Sequence, residues 1–94
     1  MITGSQCRAG RALAELSREI LARLSKVDME TIEQFERKLA RPDDDTIAAI
    51  QRGLEEAGIV FIAENGGGVG VRLKFTASET KRLSVLEGEG GIAA

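Results

Sequence analysis

Along the first 58 positions, apolar residues recur at helical spacing; after them the rhythm changes to that of strands. Thr3 followed by Gln6 forms the pattern Thr-x-x-Gln of a capping box, which predicts a helix running to about Leu16. Gly10 weakens that helix by about 1 kcal/mol relative to alanine. Ser17 can cap a second, short helix, REILARL (18–24), with Ile20, Leu21 and Leu24 on its apolar side. A tight connection, SKV (25–27), leads to Asp28, placed to cap a third helix. Ile32, Phe35 and Leu39 follow at spacings of three and four and predict its inward face. The stretch ARPDDD (40–45) ends that helix, because Pro42 restricts Arg41 to extended geometry. Asp43 caps a fourth helix, with Asp44 and Asp45 suited to its positive end and Ile47, Ile50, Leu54 and Ala57 as its buried stripe. Gly58 is its natural stop.

Beyond Gly58, IVFIA (59–63) is β-branched and aromatic and predicts a strand. ENGGG (64–68) has turn chemistry. VGVRLKF (69–75) alternates, with Val69, Val71, Leu73 and Phe75 on one side and Arg72 and Lys74 on the other, the mark of a half-buried strand. Thr76 and Glu79 suit a second capping box for a short helix to about Leu86, and EGEGGIAA (87–94) reads as a flexible tail. An isolated two-stranded hairpin is marginal in water. This one must either pack on the helices or pair with a second copy. The expectation is a homodimer with Phe61, Val71 and Leu73 buried in its interface, aided by Leu83 and Leu86.

The chain has 94 residues, enough for one modest core, and 43% of them are apolar, a globular composition. Aromatics make up only 3%, with no Trp or Tyr, which argues against stacking single-stranded bases on rings. The net charge of −2 is unevenly spread: residues 1–26 carry +3 and residues 27–45 carry −4. A basic face must therefore draw mainly on the first two helices. Cys7 is the only cysteine and histidine is absent, so neither an intramolecular disulfide nor a structural zinc site is expected. The opening MITGSQCRAG lacks the apolar run of a signal peptide, and no stretch approaches the length of a membrane span. The expected setting is the cytoplasm.

Candidate chemistry is sparse. GGGVG (66–70) lacks the Lys-Ser/Thr of a phosphate loop and lies between two strands, so it reads as a hairpin turn. Cys7, at an apolar position of the first helix, reads as a core thiol rather than a redox sensor. Glu55 and Glu56 are adjacent on a helix and point apart, so they do not converge on one site. No nucleophile has a base in reach; no enzyme activity, metal or cofactor is expected.

Two short helices joined by a tight turn, inside a four-helix cluster, suggest a helix-turn-helix. The segments QCRAGRAL (6–13), LAR (21–23), VDMETIEQFE (27–36), RP (41–42) and TIAAIQRGLEEAGIVFI (46–62) carry a closer likeness. From Ile2 to about Lys74 the chain resembles the XRE family of bacterial regulators, the lambda-repressor and Cro-like group, with ENGGGVGVRL (64–73) familiar from a small subgroup. The fold this implies is mainly α: a four- to five-helix lambda-repressor-like helix-turn-helix domain over 1–58. It is followed by a short C-terminal β-hairpin or dimerising strands and a short helix over 59–87, and the tail over 88–94. In that family the third helix enters the major groove of DNA and the helix before it braces on the phosphates. Carried over by position, Met29, Glu30, Thr31, Glu33 and Gln34 would face the bases, Arg18 a phosphate, and Lys26, Arg37, Lys38 and Arg41 the flanks.

The departures from the family pattern run in one direction. Asp28, Met29, Glu30 and Glu33 stand where small or basic residues are usual, and Lys26 replaces a turn glycine. Acids are repelled by phosphates, and a glutamate can usefully accept only from cytosine N4 in the major groove. Arg8, Arg11, Arg18, Arg23, Lys26, Arg37 and Lys38 would have to compensate, because phosphate neutralisation supplies much of DNA affinity. The resulting expectation is a dimeric, sequence-specific transcriptional regulator binding double-stranded DNA at a palindromic operator. The alternative is a helix-turn-helix whose acidic third helix binds a protein partner, as in an antitoxin or antiactivator. A bland account of the same acids also exists: Asp28 caps, Glu30 balances the helix dipole, and Glu33 pairs with Arg37 four residues on.

Overall fold

A computed structural model of the chain describes residues 1–74. They form four helices followed by two strands: α1 (Gly4–Ala14), α2 (Arg18–Ser25), α3 (Met29–Glu36), α4 (Asp44–Glu56), β1 (Ile59–Ile62) and β2 (Gly70–Leu73). The expected helix at 76–86, the tail at 88–94 and Phe75, Leu83 and Leu86 lie outside the described residues.

The caps that start these helices are those the local residues dictate. The Thr3 hydroxyl accepts from the Gln6 amide at 3.1 Å while the Gln6 side chain accepts from the Thr3 amide at 2.9 Å. Ser17 accepts from the Ile20 amide, and Asp43 from the Thr46 amide at 2.8 Å. Asp28 occupies the cap position of α3 but makes no side-chain capping bond, so its contribution there is charge near the positive helix end. Gly58, at φ +97°, turns the chain out of α4, and no β-carbon would be tolerated there without strain.

Leu21, Ile32, Ile47, Ile50, Leu54, Ile59 and Cys7 are fully buried and form the centre of the core. Burying each of the larger aliphatic side chains contributes about 1.5–3 kcal/mol. Close approach of the helices depends on glycine. A β-carbon at Gly4 would run into the Phe35 carbonyl, and one at Gly53 would press on Leu21 and Ser25. Thus α1 sits directly on the end of α3, and α4 directly on α2.

Three apolar positions depart from the expected pattern. Leu39 is 65% exposed rather than inward, because α3 stops at Glu36 and Lys38 adopts φ +61°, which turns the chain away from the helix axis. Ile20 and Leu24 are also exposed: the short α2 meets its neighbours through Leu21 and Ser25, leaving the stripe one residue away in solvent.

The strands form an antiparallel hairpin in which Phe61 faces Val71 and Ile59 faces Leu73. It packs on the helices. Phe61, Val71 and Leu73 are half-buried against the chain's own core. Val69 is exposed and precedes the strand instead of joining its apolar side. The Gln6 side-chain amide donates to Gly70 O at 2.9 Å and Ile62 O at 3.3 Å, fastening the loop end of the hairpin to α1. No described helix is long and apolar enough to cross a membrane.

Candidate nucleic-acid interface

The site is built on α2, the turn 26–28 and α3. Leu21 anchors α2, and Ile32 and Phe35 anchor α3. Lys26 closes α2 in the left-handed region at φ 60°, its amide bonded to Ala22 O, so a lysine performs the turn that glycine makes at lower cost. With its inner face held, α3 turns the remaining side chains outward.

Met29 is 50% exposed and Glu30 is open to solvent; Thr31, Glu33 and Gln34 are half-buried. The two outer glutamates are each met by a neighbour one turn on. Gln34 Nε2 donates to Glu30 at 3.3 Å, and Arg37 Nη1 to Glu33 at 3.2 Å. Met29, Glu30, Glu33, Gln34, Arg37 and Leu39 line a shallow groove of about 350 Å³. Arg8, Lys26 and Lys38 are exposed and make no ion pair among the described residues. Arg41 bonds Asp44 at 3.1 Å, so its charge is partly spent within the chain.

The feature that sequence reasoning missed is Glu36. Its carboxylate is fully buried and receives a bidentate pair from Arg11, with Nε and Nη2 each at 2.8 Å, a third bond from Arg18 Nε at 3.0 Å, and the Cys7 thiol at 3.2 Å. Arg11 also donates to Leu16 O, tying in the chain between α1 and α2. Burial pushes the Glu36 carboxyl up, but the bonds from Arg11, Cys7 and Arg18 outweigh it and hold it below the ordinary carboxylate range. Burial, and next the neighbouring Glu36 charge, drive the Cys7 thiol far above its usual range; it is a core thiol in an acidic setting. Among the described residues, no buried side-chain nitrogen or oxygen lacks a partner.

One signal in the sequence could have found this cluster. Ile32, Phe35 and Glu36 stand at i, i+3 and i+4, so an acid continues the buried stripe of α3 and requires cations from elsewhere.

The cluster also revises the role expected of Arg18. Its Nε donates to Glu36, while its side chain remains 31% exposed and neither Nη group has an acceptor among the described residues. The structure thus brings Met29, Glu30, Thr31, Glu33, Gln34 and Arg37 together on α3, with Lys26 and Lys38 at its two ends. No family model matches this chain, and no curated protein matches it.

Proposed function

We propose that the protein is a DNA-binding transcriptional regulator of XRE type, with α2, the turn at 26–28 and α3 as its helix-turn-helix. It acts as a homodimer on a palindromic operator. The observation that carries this reading is the outward face of α3. Ile32 and Phe35 hold the helix to the core while Met29, Glu30, Glu33 and Gln34 stand away from it, and Lys26 and Lys38, without an ion pair among the described residues, bracket it. Outward side chains on the first turns of such a helix can reach base edges, and cations at its ends suit the two flanking phosphate strands. Arg18, held by one nitrogen on Glu36, keeps two donors free for a phosphate oxygen. A two-fold protein matches symmetric half-sites. Phe61, Val71 and Leu73, which are only half-buried within one chain, retain surface for such an interface.

The test is the salt dependence of duplex binding. Fluorescence anisotropy with random and promoter-derived duplexes is expected to show log K falling by about 0.9 for each phosphate contacted per tenfold rise in salt. Absence of binding to any duplex at low salt ends this reading.

A second reading is favoured by one observation: the outer face of α3 carries two carboxylates and an exposed methionine, a surface adaptable to a basic protein segment. In that case the partner is a protein, and binding to it competes with nothing that nuclease removes.

A further inference from the structure

We propose that the chain holds a binding site for a small apolar anion in the pocket between the start of α1 and the segment that leaves α3. The pocket measures about 530 Å³, within the range of small-molecule sites, and is lined by Met1–Gly4, Phe35 and residues 38–41. It lies at the C-terminal end of α3 and shares Lys38 with the surface proposed for DNA.

Three observations converge there. First, Met1 and Leu39 are 64% and 65% exposed, more than any other large apolar side chain among the described residues, and both line this one pocket. Single exposed hydrophobics are ordinary; two facing one concavity, above the buried Ile2 and Phe35, form a contiguous apolar surface. Second, the shape is fixed from beneath. Gly4 packs directly on the Phe35 carbonyl, which seats the start of α1 against the end of α3 at the pocket wall.

Third, the charged side chains that line it, Lys38 and Arg41, are both cationic. Lys38 makes no ion pair among the described residues, and the left-handed backbone at φ +61° directs the chain around the pocket's edge. Arg41, with Nη2 3.8 Å from Met1 Sδ, has its charge met by Asp44, which leaves Lys38 as the lining side-chain cation without an ion pair among the described residues. An aliphatic tail on Met1, Ile2 and Leu39 with one carboxylate or similar anion toward Lys38 satisfies both halves of the surface. Such an occupant would touch 38–41, the strand of chain by which α3 joins α4.

The experiment is an NMR titration of the isotope-labelled full chain with octanoate, octanol and octylammonium, each below its micelle concentration. Octanoate is expected to shift residues 1–4 and 35–41 saturably and to bind about two- to fivefold tighter than octanol, the fold-change of an exposed ion pair. Lys38→Glu is expected to reverse the order in favour of octylammonium; Glu15 already adopts φ 56°, so a glutamate tolerates this backbone. Leu39→Ser, at an exposed position that leaves the core intact, is expected to weaken all three. The proposal is overturned by any of three results: no saturable shifts, equal binding of octanoate and octanol, or shifts centred on Ile20, Leu24 and Val69 instead.

Discussion

On its inner face α3 holds Glu36, cut off from solvent and bonded to two guanidinium groups and a thiol; on its outer face it holds Glu30 and Glu33, wet and met by one side chain each. The residue type and the helix are the same, yet the energetics are opposite. The buried carboxylate draws partners from α1 and α2 and so fixes how three helices meet. The exposed pair is screened by water, and contacts of that kind contribute about 0.3–0.5 kcal/mol each. The inner acid therefore specifies the scaffold, and the outer acids are free to be set by whatever α3 meets.

The widest gap between the two should appear on deletion. Glu36→Ala leaves Arg11 and Arg18 facing a dry space without their anion, and is expected to destabilise the fold by about 3 kcal/mol in urea melts. The discount from a fully buried pair reflects Arg18, which can swing its guanidinium into solvent. A loss below about 1 kcal/mol would erase the contrast between the faces, since single substitutions at ordinary exposed sites stay within about 0.5 kcal/mol.

Acid should act on the same contrast. The folded Glu36 carboxyl lies below its ordinary value of 4.5, so its contribution is complete above that value and is lost as pH falls through the lower, folded one. Stability measured from pH 6 downward is expected to hold until about the ordinary carboxylate range and then fall. The Glu36→Gln variant should show a shallower fall. Asp43, held low by the Thr46 bonds, adds the same sign in both proteins.

On the outer face, Glu30→Ser combined with Glu33→Arg removes two repulsive charges, adds a cation and frees Arg37 from its partner. Non-specific duplex affinity at low salt is expected to rise about tenfold, with little change in stability. A flat response would mean that this face does not approach DNA. The smallest effect is expected at the turn between the two helices: Lys26→Gly relieves a left-handed lysine and should stabilise the protein by about 0.5–1 kcal/mol, less whatever glycine adds to unfolded-chain entropy.

Legibility followed the range of the interaction. Thr3 with Gln6, Ser17, Asp43 and Gly58 act within four residues, and their placement could be read directly. The hairpin was equally plain from β-branched runs around ENGGG. Leu39 was misplaced because its spacing from Phe35 assumed a helix that in fact ends at Glu36. The place of Glu36 on the buried stripe beside Ile32 and Phe35 is local, but the identity of its partners is not, because they stand 25 and 18 residues away. The bond from Arg18, expected at a phosphate, to Glu36 was out of reach of local pattern for the same reason. The acids of α3 were visible in the sequence, but which of them was inside depended on the helix's rotation against the core.

Gln6 spends one amide group on both ends of the described chain. Its carbonyl oxygen holds the first turn of α1, and its nitrogen holds the loop end of the hairpin at Ile62 and Gly70. Fraying at either end therefore costs the other its anchor. The outermost helical turn and the last strand should open to solvent together, exchanging their amide protons as one cooperative patch rather than as two independent loose ends.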